Sequence, residues 1–400
     1  MSASPAAPSP ARRPPRLFTL ALLTALAALT LNMILPSLPS MARDLGARES
    51  AVALAISGYM LASAVFQLSM GPLSDRYGRR PVMLAALATY AVASAGCLLA
   101  SDVGTLLAWR LVQAVVVAGT VVTSAAIRDQ YGAADAASRL GAISTSMAVA
   151  PMLGPMLGGV LDAAFGWRSV FALYAALGVA LLVLVWRDMG ETRRPGLPPP
   201  RLRDGAALLG SARWWAYVLC GAFSVGAFFV FVTGVPYVAS ARWQLSSAEI
   251  GLGVGSITGG FMVGAAITAR YATRLGMATL ILSGRWVSVA TLLLALALFG
   301  WGVAHPMALF APTLLVGLGN GLTLANVNAG ALSVRPDLAG TAAGFAGAMW
   351  VALGAVLSTL TALVVERWNS PSVLLGLMLF CVAASLAAAL VAVRRAPASA

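Results

Sequence analysis

Residues 71 to 81 read Gly71-Pro72-Leu73-Ser74-Asp75-Arg76-Tyr77-Gly78-Arg79-Arg80-Pro81 and break into an otherwise apolar chain. Three arginines and an aspartate do not sit in hydrocarbon, so the stretch is a short loop on the arginine-retaining side of a membrane. Gly71 and Gly78 permit a tight turn, Pro81 suits a helix start, and Asp75 lies where a helix amino end or an arginine can hold it. Retention of positive charge accounts for Arg76, Arg79 and Arg80. It leaves the spacing of the glycines, the aspartate and the proline unexplained.

Outward from this loop lie apolar runs long enough to cross a bilayer, which takes roughly 20 residues each. Six are predicted near 17–38, 51–73, 81–100, 104–127, 139–161 and 167–187, and six more near 214–239, 249–271, 277–300, 306–328, 340–364 and 371–393. Between the sixes runs a polar stretch holding Arg193-Arg194-Pro195 and Pro198-Pro199-Pro200. The expected organisation is a tail over 1–16, a six-helix bundle over 17–187, a linker over 188–212, a second bundle over 213–393 and a tail over 394–400. Arg12, Arg13 and Arg16 ahead of Leu17 imitate a signal peptide, but the apolar run extends to Leu35 without a clear cleavage site and reads as a retained first helix.

Composition agrees. Of 400 residues, 60% are hydrophobic and 10% charged, far too few charges for a water-soluble surface of this size. The net charge of +13 comes from 26 basic residues, all arginine, in short clusters between apolar runs. No basic face forms, and no nucleic-acid partner is expected. Cys97, Cys220 and Cys381 fall in apolar runs without ligand spacing, so no metal or cofactor is expected. One histidine and no carboxylate within a span give no catalytic set, so the chain does not read as an enzyme. Without lysine there is no phosphate loop for an ATP-driven pump.

Arginine also sets orientation. Arg43, Arg48, Arg168, Arg242 and Arg367 fall on one side, Arg110 and Arg285 inside spans, and the other nineteen on the side of both termini, which is therefore expected to be cytoplasmic. The loop after the eighth run, Arg270-Tyr271-Ala272-Thr273-Arg274, repeats the Arg76-Tyr77 step of the loop after the second. Two similar halves imply a substrate path between them, opened alternately to either side.

The loop resembles the signature of the major facilitator superfamily in almost every position. The resemblance implies two pseudo-symmetric six-helix bundles, with Gly71, Asp75, Arg76, Gly78, Arg79 and Arg80 latching the halves on the cytoplasmic side. In the fifth run, Gly154, Pro155, Gly158 and Gly159 follow Ala150-Pro151 with the spacing of the antiporter motif of that superfamily's drug exporters. Gly154 and Gly158 share one helix face and allow close helix approach. Leu35-Pro36-Ser37-Leu38-Pro39, Arg128-Asp129 and Gly166-Trp167-Arg168 narrow the resemblance to the Bcr/CflA drug-resistance exporters, more closely in the first half than the second. It implies a monomeric exporter of small amphiphilic molecules in the bacterial inner membrane, exchanging substrate for protons.

Arg110 heads Arg110-Leu-Val-Gln113, which matches the superfamily's fourth-helix motif except that Ala114 replaces a glycine. An arginine near mid-membrane costs about 2.5–3.5 kcal/mol, so it is expected to face protein or water. Arg285, eight residues from a helix end, either faces the interior or snorkels to the cytoplasm. Asn32, Tyr59, Gln113 and Asn326 join Arg110 as expected cavity residues. The Bcr/CflA resemblance implies an aspartate before Met-x-Leu-Pro in the first helix. This chain has Asn32-Met33-Ile34-Leu35-Pro36, and asparagine does not titrate. Arg110, Asp129, Glu249 and His305 remain as candidates for coupling. A cavity with arginine and no carboxylate favours neutral or anionic substrates over cations.

Overall fold

The computed structural model describes residues 15–131, 139, 153–192, 209–335 and 339–394. Among them the fold is all helix. Eleven helices are long and apolar enough to span a membrane: α1 (Leu17–Asp44), α2 (Glu49–Tyr77), α3 (Arg79–Leu98), α4 (Val103–Ile127), α6 (Arg168–Asp188), α7 (Ala212–Trp243), α8 (Ser247–Ala272), α9 (Met277–Gly300), α10 (Met307–Ser333), α11 (Phe345–Arg367) and α12 (Pro371–Arg394). Between α4 and α6 lies α5, Leu153–Phe165. The start of the fifth predicted run with Pro151, the linker prolines and most of both tails lie outside the described residues.

Helix ends follow local chemistry. Asp102 and Ser211 cap α4 and α7 through their side chains, and Ser246 with Glu249 forms a capping box on α8. Hydrogen bonds from Thr105 hold the Asp102 carboxyl below its ordinary range. The turn between α2 and α3 is Gly78 alone, at φ +103, a region that favours glycine. Gly71 instead lies inside α2, as does Pro72, so the expectation that Gly71 opens the turn is corrected. Pro81 sits in the first turn of α3, where a missing N–H costs nothing.

The packing gives two six-helix bundles, α1–α6 and α7–α12, with α3 on α6 in the first, and α7 on α11 and α12 and α8 on α10 in the second. Between the bundles α2 packs along α11, and α1 touches α7 and α8. The face where α1 begins and α12 ends is called terminal here, and the other distal. Arg48 pairs with Glu366, Arg168 with Asp44, Arg242 shares a pocket with Asn369, and Arg367 lies over the Trp368 ring, all at distal helix ends or loops.

The α1 path is decisive for the site. Its α-helix stops at Asn32, a 3-10 turn runs over Leu35–Ser37, and a last α-segment covers Leu38–Asp44. The ladder's last bond runs from Met33 N–H to the Leu29 carbonyl, and Pro36 has no N–H to offer the Asn32 carbonyl, so the carbonyls from Thr30 onward lack intrahelical partners. In the apolar interior such carbonyls must find other donors.

Candidate functional site

Those donors come largely from Arg110. Fully buried, its guanidinium gives Nη1 and Nη2 to the Thr30 carbonyl at 3.3 and 3.4 Å, Nε to the Ala55 carbonyl at 3.2 Å, and Nη1 to Gln113 Oε1. The Tyr59 ring lies 4.4 Å from the guanidinium carbon, a cation–π contact. Gln113 Nε2 donates to Ser94 Oγ at 2.7 Å, Thr30 Oγ1 pairs with Tyr90 Oη at 2.8 Å, and Tyr174 Oη donates to the Leu29 and Thr30 carbonyls. A single guanidinium thus ties α1, α2 and α4 directly, and α3 and α6 through Gln113 and the tyrosines. Its acceptors are neutral.

The second bundle holds a counterpart. Arg285 on α9 is also fully buried, so the snorkelling alternative is corrected. Nε donates to Thr323 Oγ1 at 2.9 Å, Nη1 to Ser224 Oγ at 2.7 Å, and Nη2 to Asn320 Oδ1 at 2.7 Å, binding α9 to α7 and α10. Ser385 of α12 completes the group.

Tyr59, Arg110 and Gln113 therefore come together, while Asn32 and Asn326 do not join them. Asn32 turns its amide nitrogen to the Ala28 carbonyl and leaves its buried Oδ1 without a partner, and Asn326 bonds back to the Leu322 carbonyl in the other bundle. Thr30, Tyr90, Ser94 and Tyr174, absent from the sequence-based set, are integral to the Arg110 network. Their signal in the sequence was hydroxyls recurring within apolar spans.

At the terminal face the hub of the loop is Arg79. Buried at 7% exposure, it bonds Asp129 Oδ2 at 3.0 Å, Ser74 Oγ at 2.6 Å and Asp75 at 2.6 Å. Glu191 accepts from the Arg79 and Arg80 backbone N–H groups, and Arg80 reaches the Trp186 carbonyl. The loop thus clasps α2, α3, α4 and the end of α6 within one bundle. Arg79→Ala leaves Asp129 buried without its cation. The expected outcome is a loss of about 3–5 kcal/mol, read as a lowered unfolding midpoint, while Arg76→Ala costs under about 1 kcal/mol.

At the distal face the bundles meet. Arg48 forms a two-pronged bond with Glu366, which raises the arginine above its ordinary value, and Tyr237 Oη donates to the Glu49 carbonyl at 3.1 Å. Along α5, Gly154 and Gly158 press on Asn32 and the Met33 backbone of α1. Gly159 presses on the Ser247 backbone of α8, and Gly251 of α8 on the Pro155 carbonyl. Glu249 and His305, weighed for coupling, serve as helix caps. Among the described residues no group of three or more His, Cys, Asp or Glu side chains converges.

The model of the Major Facilitator Superfamily matches residues 20–359. The chain belongs to this superfamily. As a Major Facilitator protein it is a multi-pass membrane transporter of small molecules, not an enzyme. Relatives include the chloramphenicol resistance protein of Pseudomonas aeruginosa, 30% identical over 83% of this chain and 79% of the relative. Multidrug resistance protein D of Escherichia coli is 30% identical over 87% and 88%. The bicyclomycin resistance protein homolog of Haemophilus influenzae is 27% identical over 86% and 88%, and the three together bear out the Bcr/CflA resemblance. Among Major Facilitator structures, a bacterial homolog of the human lysosomal transporter Spinster, inward-facing and occupied, superposes with a TM-score of 0.78 at 16% identity, covering 94% of this chain and 96% of that one.

Proposed function

We propose that the chain is a monomeric proton-coupled exporter of neutral or anionic amphiphilic molecules in the bacterial inner membrane, with the terminal face cytoplasmic. The observation that carries the substrate class is the pair of buried guanidiniums, Arg110 and Arg285, whose partners are carbonyls, hydroxyls and amides. A monocation held about 10 Å from one such charge is disfavoured by about 1.7 kcal/mol at an effective dielectric of about 20, more than tenfold in occupancy. An anion gains the same amount, and a neutral phenicol is indifferent. The relatives named for resistance to chloramphenicol and bicyclomycin support the neutral class. The antiporter-motif glycines and the named multidrug relatives support export. The arginine count supports the orientation.

Asn32, in place of the aspartate that the resemblance implies, favours a second reading: an uncoupled facilitator, or efflux of a physiological metabolite. The deciding measurement is uptake of labelled chloramphenicol into everted vesicles with and without an imposed pH gradient. Accumulation against its gradient is expected, while vesicles and cells show no transport of, or resistance to, a permanent cation such as a quaternary ammonium dye. Strong resistance to that cation, lost on deletion of the gene, overturns the substrate class. Phenicol movement only downhill overturns the coupling.

A further inference from the structure

Three distal segments of the second bundle enclose a cavity of about 260 Å³. Arg242 at the end of α7 forms one wall, Gly302 to Ala304 between α9 and α10 another, and Asn369, Ser370 and Ser372 at the start of α12 the third. Phe299 supplies an apolar side. Of the lining residues Arg242 alone is charged. Arg48 and Arg168 are held by Glu366 and Asp44, whereas the Arg242 guanidinium makes no hydrogen bond or ion pair among the described residues. A guanidinium, an amide and two hydroxyls thus face one space that holds no carboxylate.

Depth narrows the kind of occupant. The cavity lies where α7 and α9 end and α12 begins, at the distal limit of their apolar spans. Aromatic side chains mark the same level. Trp301 and Trp368 are 79% and 54% exposed, and Trp243 packs on Phe299 and donates its indole N–H to the Ala304 carbonyl. Exposed tryptophans at span ends belong to the headgroup layer of a bilayer. Arg367 lies over the Trp368 ring, and Glu366 beside it is held by Arg48. The rim adds positive charge, while its one acid is already paired.

We propose that this cavity holds the phosphodiester headgroup of an anionic phospholipid of the distal leaflet. The two unesterified oxygens of a phosphodiester accept from a guanidinium fork, and Asn369, Ser370 and Ser372 offer further donors around it. A glycerol headgroup adds hydroxyls at no electrostatic cost. An ethanolamine or choline headgroup brings an ammonium that faces Arg242 and finds no carboxylate in the lining, so anionic lipid is preferred. A bound headgroup ties the ends of α7 and α12 to the segment between α9 and α10, and so stabilises the second bundle. Binding there does not depend on what the protein carries.

The test is native mass spectrometry of the full-length protein in detergent, titrated with dioleoyl phosphatidylglycerol. Arg242→Ala is expected to weaken binding of the first lipid by at least about fivefold, the scale of one arginine at a headgroup. Arg43→Ala removes an exposed distal arginine of the first bundle and leaves binding unchanged. Arg242→Lys keeps most of the binding, and Ser372→Trp, which fills the cavity with the charge intact, weakens it as much as Arg242→Ala. Equal weakening by Arg43→Ala and Arg242→Ala reduces the effect to bulk charge and overturns the inference, as does undiminished binding by Ser372→Trp. Phosphatidylcholine is expected to bind at least about fivefold more weakly than phosphatidylglycerol, and equal binding overturns the preference for an anion. All four variants, each altered at the surface, are expected to melt near wild type in lipid-free detergent. Phosphatidylglycerol then raises the midpoint of the wild type and Arg242→Lys but not of Arg242→Ala, and an equal rise in Arg242→Ala overturns the site. Competition separates the sources of phosphate. Glycerophosphoglycerol and inorganic phosphate at the lipid's concentration are expected to leave the lipid bound, and displacement by either overturns the lipid assignment in favour of a soluble phosphate.

Discussion

Replacing Arg110 with methionine is expected to destabilise the first bundle's core and abolish transport. The side chain fits the volume but donates nothing, so the carbonyls of Thr30 and Ala55 and the Gln113 amide oxygen lose their guanidinium donors. A buried acceptor stranded in this way costs about 1–3 kcal/mol; Gln113 Oε1 is stranded outright, whereas the Thr30 carbonyl keeps Tyr174 Oη and the Ala55 carbonyl lies within the α2 helix, so the expected loss is about 2–3 kcal/mol. For a bundle of this size that lowers the unfolding midpoint by about 10 °C. Arg110→Lys separates charge from geometry. It keeps the positive charge but cannot fork between α1, α2 and Gln113, so it is expected to lose about half of that stability and at least about tenfold in transport rate. Scanning fluorimetry in detergent and vesicle uptake of labelled chloramphenicol read the two effects. A lysine variant with wild-type melting and transport would show that charge alone matters at this position and that the network does not.

That network also marks the limit of what the sequence discloses. The spans were legible because hydrocarbon imposes a length on every one of them, and the Gly78 turn because a positive φ leaves a residue-type trace. The Arg110 acceptors left no such trace. A main-chain carbonyl belongs to every residue, and Thr30 becomes an acceptor because α1 stops at Asn32, which leaves its carbonyl no N–H four residues on. Arg285 was ambiguous for a related reason: its depth was readable from spacing, but its partners, Ser224, Asn320, Thr323 and Ser385, come from three other helices. Gly71 misled in the opposite direction, since its place beside a loop motif suggested a turn, while α2 runs straight through it to Tyr77. Asp162 falls one residue beyond the fifth predicted run, 139–161. What distinguishes it is a bond from Ser247 Oγ across the α5–α8 seam, a contact between chain segments some 85 residues apart.

Along that seam, Gly159→Ala is expected to stop transport while leaving both bundles folded. A Cβ at Gly159 overlaps the Ser247 carbonyl and lies 3.2 Å from the Ala248 Cα, and both belong to the opposite bundle. The overlap is with backbone, so no side chain can swing away, and relief comes only from moving α5 off α8. Gly158→Ala differs, because its overlap is with the Met33 backbone of the same bundle and its strain falls on α1 at the break beside Asn32. The two variants therefore divide: Gly158→Ala lowers the unfolding midpoint of the first bundle, by about 1–3 kcal/mol in equivalent stability, whereas Gly159→Ala melts near wild type with the distal face wedged apart. Gly251→Ala meets the Pro155 carbonyl from the other side of the seam and should reproduce Gly159→Ala. Alternating access requires both faces to close in turn, so either wedge is expected to reduce uptake by about 100-fold, the scale of a bias of about 2.7 kcal/mol against the sealed state. A cysteine at Ser247 should label faster with a membrane-impermeant maleimide in both than in the wild-type background. Slow labelling together with normal uptake would mean that the bundles can part and rejoin without the glycine contact, and that the seal is made elsewhere.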